Sequence, residues 1–425
     1  MPLVNNDLIA DLEARGLIHD STDREHLRAQ IADGPVGIYY GCDPTADSLH
    51  VGNLIGLIML RRFQDAGHRA IALAGGATGM IGDPSGKSEE RNLLDDEALN
   101  HNVACIKEQL GRIVDLSDPE RGALVDNRDW TQPITILEFL RDVGKHVTVN
   151  QMLARESVKV RINSEHGISF TEFSYMLLQA NDYLWLHDHL GCVIQIGGSD
   201  QWGNIISGVD LIRRKRQTAV HAFSWPLMTA SDGSKLGKTS GARVWLDADK
   251  TSPYALRQYW MQTADDDVRQ QLLTFSLRDV EQIESIAVEH AEAPHLRRGQ
   301  RVLAHDVVSL VHGTPAADAA DEAADLLFAK DPTGASIAAF ETLASEIPFS
   351  RISAERLGDT VALLVEVELA SSNGDARRNL AQNSYSLNGV KIGEKDQLSG
   401  HELLQGKYLL LRRGKKDHHL VEVFS

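Results

Sequence analysis

The chain has 425 residues, 42% of them apolar and 24% charged, enough material for two or three domains with proper cores and too apolar for wholesale disorder. Its formal net charge of −17 excludes a protein that coats nucleic acid indiscriminately, so any RNA partner must meet a local basic patch. Cys42, Cys105 and Cys192 are too few and too scattered for a disulfide framework, and no Cys-x-x-Cys pair offers zinc a site.

Met1 to Gly16 carries Asp7, Asp11 and Glu13 where a secretion signal needs a basic segment and then an apolar one. Leu54 to Leu60, the most apolar run of the first domain, is far short of the roughly 18 residues of a membrane span. A cytoplasmic protein with no membrane partner is the expectation.

From Val36 to Gly41 the sequence reads as a short buried strand, followed by a Pro- and Asp-containing turn and an apolar-periodic helix from about Val51 to Ala66. A second strand-like run, Arg69 to Ala74, enters the Gly-rich loop Gly75 to Gly86. Further strands are expected at Ala123 to Asp126 and Cys192 to Ile196, with helical stretches between. This alternation predicts an α/β fold, a Rossmann-like doubly wound parallel sheet over 1–245 whose ligands bind beyond the carboxyl ends of the strands. A mainly helical pattern then predicts a second domain over 246–345, with Asp331-Pro332-Thr333-Gly334 as a turn. After Ile347-Pro348 a small α+β module is expected over 350–425, with a helix near Asp375 to Gln382 and strand pieces around Asn388 to Ile392 and Tyr408 to Arg412.

The stretch from Tyr39 to Asn53 runs from a strand end through a polar turn into a helix. A helix N-terminus supplies unpaired N–H groups and a positive dipole end, Gly52 lets a nucleotide approach the backbone, and Thr45 and His50 can donate to phosphate oxygens. Taken alone, His50 reads as a capping or core histidine; its neighbours suggest ATP binding. A second loop, Asp232 to Gly241, puts Lys235 and Lys238 three residues apart among small and hydroxyl residues. Alone it reads as a solvated turn, but such lysines can also follow charge developing on a leaving pyrophosphate. Gly86-Lys87-Ser88 is not the end of a P-loop, because Ile81 stands where that motif needs glycine.

The first stretch, His50-Val51-Gly52-Asn53 at its core, resembles the His-Ile-Gly-His signature of class I aminoacyl-tRNA synthetases, in the longer form of the bacterial tyrosyl-tRNA synthetases. The second resembles the Lys-Met-Ser-Lys-Ser signature of the same class, with the lysine spacing intact. Gly82 to Lys87, Tyr175 to Asp182 and Gln195 to Asn204 resemble further segments of that family. The resemblance implies that Tyr39 and Asp182 bind a phenolic hydroxyl, that Asp83, Tyr175 and Gln179 hold the ammonium of tyrosine, and that Gln195 and Gln201 hold its carboxylate side. It gives Asp43, Gly52, Asn53, Asp200 and Lys238 to ATP, and Thr45, His50, Lys87, Lys235 and Lys238 to catalysis. Magnesium is expected with ATP, and no carboxylate cluster looks like a dedicated metal cage.

The C-terminal segment is basic within an acidic chain. Asp375 to Leu380 and Leu387 to Lys391 resemble the small RNA-binding fold with which bacterial tyrosyl-tRNA synthetases end. That likeness gives Arg377, Arg378, Lys391, Arg412 and Arg413 to tRNA, and it implies an anticodon-side role for the helical domain and a homodimer. Two rivals stand beside it: an RNA-binding protein that kept the fold and lost activity, and an enzyme that adenylates tyrosine without charging tRNA.

Overall fold

The computed structural model of the chain describes residues 7–85, 94–163, 167–228, 238–239, 242–414 and 416–424. Two compact units result, Met1–Lys250 with Thr263–Leu303, and Thr251–Gln262 with Ala304–Ser425. The stretch 246–345, read from the sequence as a helical domain, is shared between the two.

The first unit is built on five parallel strands, β1 (Gly37–Cys42), β2 (Arg69–Ala74), β3 (Gly122–Asp126), β4 (Cys192–Gly198) and β5 (His221–Trp225), in the order β3-β2-β1-β4-β5. This is the expected Rossmann-like sheet. β1, β2, β4 and β5 are almost wholly buried, as strands covered on both faces must be. The chain leaves β1 toward β2 and β3 and then returns to lay β4 on the other side of β1. The strand order therefore reverses between β1 and β4, and a crevice opens beyond their carboxyl ends.

Helix Val51–Asp65 connects β1 to β2 and is buried along most of its length. Gly56 lets it lie close to β1: a Cβ there would stand 2.4 Å from the Tyr40 ring. Strand β5 was not expected from the sequence. Its outer edge is satisfied by residues 19–22, where His19 N donates to Ser224 O at 2.7 Å and Ser224 N to Asp20 O at 2.8 Å. A two-stranded antiparallel ribbon, β6 (Lys238–Thr239) and β7 (Ala242–Arg243), follows with Lys238 opposite Arg243.

The second unit contains a mixed sheet of β8 (Phe349–Ser353), β9 (Tyr385–Leu387), β10 (Val390–Ile392), β11 (Tyr408–Arg413) and β12 (Asp417–Phe424), ordered β10-β9-β11-β12-β8. Helix Asn373–Ala381 buries Ala376 and Leu380 against Tyr385, Leu387 and Leu411. Helices Thr314–Leu326 and Ile337–Glu346 bring Ala323 and Phe340 to Tyr408, Leu410 and Leu420. Asn388 and Gly389, both at positive φ, form the two-residue link between β9 and β10. Among the described residues no helix is long and apolar enough to cross a membrane.

Candidate active site

A cavity of about 500 Å³ occupies the crevice beyond β1 and β4. Tyr39, Asp43, Thr45, His50, Gly52, Asn53, Asp83, Tyr175, Gln179, Asp182, Gln195, Asp200 and Gln201 all line it. Residues separated by up to 162 positions are thus brought together by the strand ends and by helix Phe170–Leu190, whose turns present Tyr175, Gln179 and Asp182 on one face. Lys87 and Lys235 lie outside the described residues, and of Lys238 the backbone alone is described.

At the end of the cavity nearer helix Val51–Asp65, His50 caps that helix. Gly52 N donates to His50 Nδ1 at 3.0 Å, and His50 N donates to Asn53 Oδ1 at 3.1 Å. Asn53 thereby closes a reciprocal cap. With Nδ1 accepting, a neutral ring carries its proton on Nε2, as a phosphate donor must. Gly52 makes room for that ring, since a Cβ would stand 2.8 Å from His50 Cε1.

The expectation of unpaired amides at this helix start needs correction. Val51 N donates to Val244 O at 3.1 Å, Gly52 N is used by His50, and Asn53 N donates to His50 O at 2.8 Å. The cap and the pairing of residues 244–246 with 49–51 consume these amides. What remains for an anion is the helix dipole and the side chains.

At the deep end, Tyr39, Gln179 and Gln195 bury the Tyr39 hydroxyl and both Oε1 atoms without a hydrogen-bond partner among the described residues. Unpaired buried polar atoms are costly, and three around one cavity indicate a polar ligand. Burial, and then the nearby Asp182 charge, push the Tyr39 phenol well above its ordinary pKa, so it stays a donor. Asp182 is 2% exposed. Burial pushes its carboxyl up to about 8, against the pull of hydrogen bonds from Asn127 and Trp130.

Asn127 and Trp130 were not singled out from the sequence. Asn127 Nδ2 donates to Asp182 Oδ2 and to Thr78 Oγ1, both at 2.9 Å, and Thr78 Oγ1 donates to Asp43 Oδ1 at 2.6 Å. Tyr175 OH donates to the other oxygen of Asp43 at 2.7 Å. One network thus orients Asp182, Asp43 and Tyr175. Gly75 lets Asp43 take this place, because a Cβ there would stand 2.2 Å from Asp43 Oδ1. Asp83 accepts from Gln201 Nε2 at 2.6 Å, from Ser85 N at 3.0 Å and from Asn204 Nδ2 at 3.3 Å. Asn127 and Trp130 do follow the end of β3, where a parallel sheet puts binding residues.

A family model described as tRNA synthetases class I (W and Y) matches residues 32–329, and one described as a tyrosine–tRNA ligase SYY-like C-terminal domain matches residues 339–421. A tyrosine–tRNA ligase of Opitutus terrae is 46% identical over 98% of this chain and 99% of its own length. That of Salmonella enteritidis is 45% identical over 99% of both.

The chain belongs to the tyrosine–tRNA ligase family.

Among solved structures, a C-terminally truncated mitochondrial tyrosyl-tRNA synthetase of Aspergillus nidulans aligns with a TM-score of 0.69 and 33% identity, over 76% of this chain and 95% of that one. In the part matched by the ligase C-terminal model, Arg377, Arg378 and Lys391 are exposed, whereas Arg412 and Arg413 are half-buried. Arg413 Nη1 donates to Leu369 O at 3.0 Å and lies 3.5 Å from Asp375 Oδ2.

Proposed function

We propose that this cavity carries out both steps of the ligase reaction. A carboxylate oxygen of tyrosine attacks the α-phosphorus of ATP; the bond to the bridging oxygen of the β-phosphate breaks, and pyrophosphate departs with the electron pair. A ribose hydroxyl at the 3′ end of tRNA then attacks the tyrosyl carbonyl and releases AMP. The carboxylate is already a nucleophile at neutral pH, so the first step needs only positioning and charge stabilisation.

The observation that carries the reading is that the Tyr39 hydroxyl, without a partner among the described residues, and Asp182 line the same cavity, both almost wholly buried. A phenolic hydroxyl gives the Tyr39 hydroxyl a partner and Asp182 a further one, while a phenylalanine ring leaves the Tyr39 hydroxyl buried and unsatisfied. Asp83, Tyr175 and Gln179 would face the ammonium, Gln195 and Gln201 the carboxylate side, and Asp43, Gly52, Asn53 and Asp200 the nucleotide. Thr45 and His50 would stabilise the leaving pyrophosphate together with Lys87, Lys235 and Lys238. Magnesium would enter as the counter-ion of ATP, coordinated by phosphate oxygens; among the described residues no group of three or more His, Cys, Asp or Glu could hold an ion.

The functional division at 1–245, 246–345 and 350–425 belongs to the same proposal, the middle part serving tRNA from the anticodon side and the last through Arg377, Arg378, Lys391 and Arg412, whereas the Leu369 carbonyl and Asp375 occupy Arg413. A homodimer is favoured by exposed apolar side chains: Ile136, Leu137 and Phe170 are 74%, 76% and 78% exposed. The reading implies a cytoplasmic location. Tyrosine-dependent exchange of labelled pyrophosphate into ATP, with phenylalanine and tryptophan as controls, followed by charging of tRNA, tests the whole. No exchange with any amino acid would overturn it.

A further inference from the structure

Arg243 lines the cavity that holds His50, Gly52 and Asn53, yet neither signature motif contains it. Its guanidinium carbon lies 5.6 Å from the centroid of the Trp245 ring. Lys250 approaches the same ring at 5.8 Å, but Lys250 is neutralised by Asp47 at 2.9 Å. Among the described residues no carboxylate pairs with Arg243. A cation facing a cavity without a counter-charge is a ready partner for an anion.

Its position is fixed by backbone. Val51 N donates to Val244 O and Leu246 N to Leu49 O at 2.8 Å, and Trp245 bridges His50, so the segment carrying Arg243 is laced to the helix start that presents His50. On the other side the register sets Arg243 opposite Lys238. In the backbone Arg243 therefore pairs with Lys238 and stands two residues from Trp245, the partner of His50; Lys238 and His50 are both assigned above to the leaving pyrophosphate.

We infer that Arg243 is a further phosphate-binding residue of the activation step, contacting the β- and γ-phosphates of ATP and the pyrophosphate that departs. The inference rests on the proposed reaction at this cavity. The planar fork of a guanidinium suits two phosphate oxygens at once, and the Trp245 face limits how far it can swing.

The test uses the full chain with Arg243→Met, which keeps an unbranched side chain over Trp245, and Arg243→Lys, which keeps charge without the fork. Rapid-mixing adenylate formation is followed against ATP and against tyrosine, and pyrophosphorolysis of preformed tyrosyl-adenylate against pyrophosphate. Arg243→Met is expected to weaken ATP and pyrophosphate binding about tenfold or more, leaving tyrosine within about twofold, and Arg243→Lys to recover part of the loss. ATP and pyrophosphate constants unchanged within about twofold would overturn the inference. So would a defect confined to transfer onto tRNA, or a loss of tyrosine binding in step with thermal stability. Absence of exchange in the parent protein would instead overturn the reading of the cavity, and the role of Arg243 with it.

Discussion

Trp130 Nε1 donates to Asp182 Oδ1 at 2.8 Å. The donor ring is itself held by Trp185, stacked on it at 4.1 Å with 10° between the planes. Trp130→Phe keeps an aromatic ring in that stack and deletes only the N–H. One oxygen of Asp182 then loses its partner, and the carboxyl is freer to turn from the cavity. The KM for tyrosine in pyrophosphate exchange should rise about tenfold, the size of one lost hydrogen bond that leaves a buried polar atom without its partner, while the KM for ATP changes less than about twofold. Equal rises in both constants would mean that Trp130 supports the fold rather than the pocket.

A pH signature follows from Asp182. Its carboxyl is pushed up to about 8 in the folded chain, against roughly 4 when unfolded. Between those values the folded state binds a proton that the unfolded state has released, so this group's contribution to stability is most favourable at the acid end. It declines as pH rises through that window and levels off above the folded value. Asp182→Asn removes the titration. The melting temperature of the variant minus that of the parent should therefore grow from about pH 5 to about pH 8, whatever its sign at the start. A difference constant across that range would show that the carboxyl ionises as in water.

His50 combines two jobs that one substitution confuses and two substitutions separate. His50→Ala removes both the cap and the ring; it should cost about 1 kcal/mol of stability and slow adenylate formation roughly 10²-fold, with tyrosine affinity nearly unchanged. Asparagine is a good cap residue without the imidazole, so His50→Asn should restore the melting temperature and leave most of the rate defect. Stopped-flow rates beside calorimetry decide the matter. Full recovery of rate by asparagine would reduce His50 to a helix cap.

The parts of this molecule legible in the sequence are those whose partners lie close along the chain. Arg69 to Ala74 reads as a strand because a parallel strand buried on both faces is a continuous apolar run, and β2 has those bounds. β5 escapes notice because His221 and Ser224 interrupt its pattern. What meets them is remote: Ser224 Oγ donates to Asp20 Oδ2 at 3.0 Å, and His221 Nδ1 lies 3.3 Å from Thr22 Oγ1. β9 has three residues, too few for a period to show. Of the cavity lining, Thr45, His50, Gly52 and Asn53 were readable because they follow one another closely along one loop and helix start. Asn127 and Trp130 were not, since their common partner Asp182 stands more than fifty positions on and only the fold brings them to it. The amide of Val51 was misjudged for the same reason, Val244 being nearly two hundred residues away, whereas that of Gly52 is taken locally by the His50 ring.

The basic residues of the C-terminal unit should divide into two groups. Arg377 and Arg378 are exposed on helix Asn373–Ala381, and the sole ion-pair partner of Arg378 among the described residues, Asp375, is 3.7 Å away. Arg377→Glu and Arg378→Glu should raise the KM for tRNA and flatten its salt dependence by about one unit of log–log slope per lost phosphate contact, without changing pyrophosphate exchange. Arg413 is half-buried, with its guanidinium on the Leu369 carbonyl and the Asp375 carboxylate. Arg413→Ala strands that carbonyl and leaves Asp375 less compensated, so it should lower the denaturation midpoint by about 1–3 kcal/mol in stability. Its effect on tRNA should then appear through loss of folded C-terminal unit and disappear at low temperature. A salt-slope change from Arg413→Ala equal to that from Arg378→Glu, at unchanged stability, would place Arg413 in direct contact with RNA instead.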